Sequence, residues 1–113
     1  MDEELGDTER VAPAQASQAV RIVLSRAAAA DIERLRAFLH EKNPGAAERA
    51  VDTLVSAVDA LTTFPNRGRP SGIPGVRELI VPFGQVPYVV RYAHITSENL
   101  VVVLRIWHGR ESR

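Results

Sequence analysis

Asn43-Pro44-Gly45 separates two segments that each carry an apolar residue every three or four positions, and this limits the fold more than anything else in the chain. Upstream, Ala28, Ile32, Leu35 and Leu39 form one stripe, with Arg34, Arg36 and Glu41 largely off it. The spacing predicts a helix from about Arg26 to Lys42, with Ser25 as its N-cap. Downstream, Ala47, Val51, Leu54, Val58 and Leu61 recur at intervals of four and three, a second seam ending near Phe64–Pro65. Asn43 is suited to cap that helix and Pro44 to be its first residue, where a missing N–H costs nothing. So short a turn makes the helices antiparallel, an αα-hairpin. Its apolar seam needs another layer to cover it.

The rest of the chain supplies that layer. "AVRIVL" (19–24) is a short β-branched run, hence a strand. "PNRGRPSGIPG" (65–75) is almost all turn residues, hence a loop. "VRELIV" (76–81), "PYVVRYAHI" (87–95) and "NLVVVLRIW" (99–107) are three strands, with "PFGQ" and "TSEN" as hairpin turns. The predicted order is β-α-α-β-β-β. This is an α+β fold, with the helical hairpin on one face of an antiparallel sheet. One domain, 19–113, is expected. Residues 1–18 are acidic, polar and without periodicity, and are expected to be a disordered tail.

A net charge of zero conceals a gradient. Residues 1–19 hold five acids and one arginine, and residues 20–63 balance six with six. Residues 64–113 hold seven arginines against three glutamates. Lys42 is the sole lysine. Arginine's planar fork suits phosphate and carboxylate, so the C-terminal half is read as a surface for an anionic partner; arginine-favouring codons are the alternative. Without cysteine there is no disulfide framework and no thiolate chemistry. His40, His94 and His108 have no metal-ligand spacing, so no metal or other cofactor is called for. No apolar run approaches the roughly 20 residues of a membrane span. A cytoplasmic location is expected.

The pattern "FPNRGRP…PGVRELIV…YVVRY…VVVLRIWHGR" resembles the RelE/ParE superfamily, the toxins of bacterial type II toxin–antitoxin pairs. The resemblance spans about residues 20–110. It implies growth inhibition relieved by a cognate antitoxin, here expected to have an acidic, amphipathic C-terminal segment. It also implies one of two targets. RelE-like toxins cut mRNA in the ribosome; ParE-like toxins bind and poison DNA gyrase without cleavage chemistry of their own.

Carried over residue by residue, the RNA-cutting pattern is incomplete. Its second-strand bases fall near Arg77 and Leu79, so one is kept. Its third-strand arginine falls at Val89, with Arg91 two residues on. Its closing cation matches Arg110, and His108 matches a histidine some relatives use. The late tyrosine has no counterpart. If the chain is a metal-independent endoribonuclease, His108, Arg91, Arg77 and Arg110 are its candidate catalytic residues. The ParE-like reading is preferred, with Arg105, Arg110, Arg113 and Arg69 as target-binding residues. Packing readings compete for several. Arg91 would pair across the sheet, Arg77 decorate an edge, Trp107 anchor the core, Tyr88 and Tyr92 pack, His108 cap the last strand, and "RGRP" brace the hairpin.

Overall fold

The computed structural model describes residues 20–109 and 111. The acidic segment 1–18 and the candidate residues Arg110 and Arg113 lie outside the described residues. The elements are β1 (Arg21–Leu24), α1 (Arg26–Lys42), α2 (Pro44–Asp59), a 3-10 turn (Ala60–Thr62), β2 (Arg69–Pro70), β3 (Val76–Val81), β4 (Tyr88–Ile95), a second 3-10 turn (Thr96–Glu98) and β5 (Leu100–His108).

Local chemistry sets the helix ends. Ser25 Oγ accepts the N–H of Ala28 at 3.0 Å, and Asn43 Oδ1 accepts that of Ala46 at 3.1 Å. The same Asn43 closes α1, giving its N–H to Leu39 O at 2.7 Å. One extended residue therefore ends one helix and begins the next.

The sheet has five strands in the order β1-β5-β4-β3-β2. Its last three long strands form the expected antiparallel meander. The sheet as a whole is mixed, because β1 pairs in parallel with β5. The helical hairpin returns the chain to the far edge of the sheet, so the inner edge of β1 is filled by the last strand. The loop after α2 also contributes β2, whose two residues pair with Arg77 and Glu78. Between β4 and β5 the "TSEN" segment is a 3-10 turn closed by Asn99 at φ 52°, a left-handed conformation that Asn tolerates better than most residues.

One face of the sheet carries the helices. Leu79, Val81, Tyr88, Val90, Tyr92, Val101, Val103 and Ile106 pack there with Ala28, Leu35, Ala50 and Leu54. Successive strand residues alternate faces, so Glu78, Ile80, Val89, Arg91, Arg105 and Trp107 belong to the other face, open in that neither helix packs on it, although Glu78, Val89 and Trp107 are themselves buried. A bulge opposite Arg91/Tyr92 inserts Leu104 as an extra residue in β5 and resets the alternation before Arg105.

Candidate functional site

β1 covers β5 only as far as Val103. Beyond that point α1 satisfies the exposed strand edge with side chains. Ser25 Oγ donates to Leu104 O at 3.0 Å. Asp31 Oδ2 accepts the Ile106 N–H at 2.7 Å, and Arg34 Nη2 donates to Ile106 O at 3.2 Å. Next along the edge, Glu111 Oε1 accepts the His108 N–H at 2.7 Å. The end of β5 is thereby fixed to the helix layer.

Asp31 is the centre of this arrangement, with 4% of its surface exposed. It also takes Arg105 Nε at 2.8 Å, Arg105 Nη2 at 3.2 Å and Arg34 Nη2 at 3.2 Å. Burial pushes its pKa up. The bonds from Arg105, the Ile106 N–H and Arg34 outweigh burial and hold the carboxyl below the usual aspartate value. Arg34 bridges onward to Glu111. Gly109 completes the turn, donating its N–H to Pro87 O at 2.8 Å. A Cβ there would stand 2.9 Å from that same oxygen, so the position admits only glycine without a backbone shift.

The candidate residues are distributed around this frame. His108 lies on the helix side, its ring edge-on to Tyr88 with centroids 5.4 Å apart. Both line a pocket of about 580 Å³ with Arg34, Leu35, Phe38 and Glu111. Arg77 is on the same face as His108, but its register partner is Tyr92 whereas that of His108 is Tyr88. Four positions along a strand are roughly 13 Å. Arg77 Nη1 donates to Gly68 O at 2.7 Å. Arg91 is on the open face. Its Nε and Nη2 both donate to Glu78 Oε2, at 3.1 and 2.7 Å, and its guanidinium stands 5.2 Å from the Trp107 ring centroid. Arg69 reaches the other Glu78 oxygen at 3.6 Å, and Arg105 is held by Asp31.

The three described catalytic candidates are therefore not brought together. Arg91 and Arg69 do meet, across the buried carboxylate of Glu78. On β3, Arg77 and Leu79 both point toward the helices, Leu79 within the core. The open face of that strand presents Glu78 and Ile80 instead. The phenols of Tyr88 and Tyr92 are raised above their usual value, chiefly by burial, so both stay protonated at neutral pH. Tyr92 Oη donates to Pro65 O at 2.7 Å and accepts the Gly68 N–H at 2.9 Å, tying the "RGRP" loop to the sheet. No group of three metal-binding side chains occurs among the described residues. No helix among them is long and apolar enough to cross a membrane.

Asp31, Arg34, Glu78 and Glu111 escape a reading of the sequence for site residues. Asp31 does leave a signal, as an acid within the apolar stripe of Ala28, Ile32 and Leu35. The other three look like ordinary surface charge.

A family profile described as the ParE toxin of the type II toxin–antitoxin system parDE matches residues 22–113. The chain belongs to this family. It is also 46% identical over 92 residues to Toxin RelE1 of Caulobacter vibrioides, covering 81% of this chain and 96% of that one. Toxin RelE3 of the same organism is 36% identical over 83 residues, covering 74% and 87%. Among solved structures, a chain of the chromosomal ParDE toxin–antitoxin system from P. aeruginosa superposes with a TM-score of 0.68 at 27% identity, covering 81% of this chain and 98% of that chain. A chain of the toxin–antitoxin complex RelBE2 from Mycobacterium tuberculosis shares the fold, with a TM-score of 0.56 at 20% identity and coverage of 80% and 98%. The protein is thus a type II toxin of the RelE/ParE family, and both the ParE and the RelE names occur among its relatives.

Proposed function

We propose that this toxin acts by binding its target, with DNA gyrase as that target, and that it does not cut RNA. The observation that carries this reading is the dispersal of the candidate cations. Cleavage by 2′-hydroxyl attack needs a base, an acid and phosphate-binding cations around one phosphodiester. Here Arg91 faces one side of the sheet and is engaged by Glu78, while His108 and Arg77 face the other, roughly 13 Å apart along the strands. Arginine stays protonated and cannot act as the base. Loss of a single transition-state donor typically costs about 10²–10³ in rate.

The partner that neutralises it is an antitoxin with an acidic, amphipathic C-terminal segment. An apolar groove of about 190 Å³ between β1 and α2, lined by Ile22, Leu24, Val51, Val55 and Val58 with Asp59 as its one carboxylate, suits the apolar face of such a segment. Arg21 and Arg26 flank it in sequence.

Expression without antitoxin tests the target. Filamentation, an SOS response and loss of supercoiling by purified gyrase are expected, with mRNA left intact in a ribosome-programmed extract. His108→Ala should remain toxic. Codon-specific cuts in ribosome-bound mRNA that disappear in His108→Ala would replace this reading with the ribosome-dependent endonuclease.

A further inference from the structure

An open pocket of about 390 Å³ lies between the loop after α2 and the ends of β3 and β4, away from the groove and from the end of β5. Arg77, His94, Asn66 and Thr96 supply its polar wall, and the turn from Gly72 to Gly75 its rim. No carboxylate lines it. The one acid in the sequence between residues 60 and 97 is Glu78, which faces the other side of the sheet toward Arg91 and Arg69.

The two basic side chains are oriented in advance. Arg77 spends one of its five N–H donors on Gly68 O, which fixes the guanidinium against the loop. Tyr92 clamps that loop in turn, through Gly68 and Pro65. His94 Nδ1 lies 2.9 Å from Asn66 Oδ1. With Nδ1–H donating to that oxygen, Nε2 is the ring atom left for a ligand, and it donates to an oxyanion only when the ring is the imidazolium. Arg77 is paired with Tyr92, and His94 stands two residues further along β4 on the same face. Such diagonal neighbours are about 7–8 Å apart at Cα. A tetrahedral oxyanion accepting a bond from the guanidinium and from the imidazolium can bridge them, and Thr96 on the same wall adds a hydroxyl. Two cationic donors and a hydroxyl fit the several oxygens of a phosphate. Gly72 and Gly75 hold φ of +96° and +78°, and nothing lies within 4 Å of where a Cβ would stand on either, so the rim leaves room for entry.

We propose that this pocket binds a phosphate group through Arg77, His94 and Thr96. Arg77 is shared with the ribosome reading, but His94 and Thr96 are not, and phosphate binding without cleavage leaves the proposed function standing. The phosphate has two sources, a small free phosphate or the phosphodiester backbone of a nucleic acid.

Amide NMR spectra of the full chain, titrated with inorganic phosphate against chloride at matched ionic strength and then with a short oligothymidylate, decide the matter. Saturable shifts confined to Asn66, Gly72, Gly75, Arg77 and His94 are expected. His94→Gln combined with Thr96→Val leaves the Arg77–Gly68 contact in place and should weaken binding about tenfold or more. Tighter binding of the oligonucleotide supports a nucleic-acid backbone; tighter binding of inorganic phosphate supports a small ligand. Absence of saturable shifts, shifts spread evenly over the exposed arginines, or unchanged affinity in a double variant whose spectrum is otherwise native would overturn the proposal.

Discussion

Asp31 illustrates how one residue can be costly and necessary at once. Desolvation disfavours its charge, yet the Ile106 N–H and two arginines converge on it. Asp31→Ala removes the acceptor of that N–H and of the Arg105 guanidinium, while Arg34 keeps Ile106 O and Glu111, so it should lose about 2–3 kcal/mol in urea denaturation. The arginines, half exposed, recover part of the loss from water. The pH dependence has a definite sign. The folded-state pKa is below the unfolded value, so the stabilisation is full above about pH 4 and is lost as pH falls through the folded pKa. A stability-against-pH curve for Asp31→Asn should therefore be flatter below about pH 4 than that of the parent. Tyr92 is the second such residue. Tyr92→Phe removes the partner of both the Gly68 N–H and Pro65 O, at an expected cost of about 1–3 kcal/mol. Faster hydrogen exchange at the Gly68 amide would be its signature.

Among the elements, α1 serves as more than a cover for the sheet. Its side chains continue the edge of β5 where β1 stops, and Glu111 extends the same edge to His108. Glu111→Ala should change stability by no more than about 1 kcal/mol, because the Arg34–Glu111 pair is partly exposed. It should still quicken exchange at the His108 amide, and unchanged exchange would remove Glu111 from that role. The same element shows what a sequence can and cannot disclose. Both helices begin at caps whose chemistry is local, so Ser25 and Asn43 mark them in the sequence. The parallel pairing of β1 with β5 joins residues 79 apart, and nothing local encodes it. The sequence reads "RGRP" as a loop that braces the hairpin; the bonds that hold it run to Tyr92 and Arg77 of the sheet, and β2 within it depends on pairing with β3. Site geometry is hidden for a related reason. Arg77, Arg91 and His108 look like a set in one dimension, and only the strand register assigns Arg91 to the opposite face from the other two. The Arg91–Glu78 pair follows from that register, as does the burial of Leu79.

At the scale of the whole molecule, charge is sorted along the chain. The family profile begins at residue 22 and the described core at Val20, whereas the five acids of the first nineteen residues precede both. Residues 1–18 carry only Met1, Leu5 and Val11 as hydrophobic side chains larger than alanine, without periodicity, so on deletion the melting temperature should stay within about a degree or two. The remaining chain then carries an excess of arginine in its C-terminal half, with Arg67 and Arg69 exposed on the loop that Tyr92 holds in place. The acidic antitoxin segment proposed above would be steered toward this surface by the field before any apolar contact forms. Salt screens that field within about 10 Å at 0.1 M, while the apolar groove between β1 and α2 is insensitive to it. The two contributions therefore separate kinetically. Stopped-flow association with the antitoxin should slow about tenfold between roughly 0.05 and 0.5 M salt, with a much smaller change in dissociation. Val55→Asp, in the groove, should do the reverse, accelerating dissociation and leaving the salt dependence of association in place. A salt-independent on-rate would mean that the arginines of this half serve some purpose other than drawing in the antitoxin.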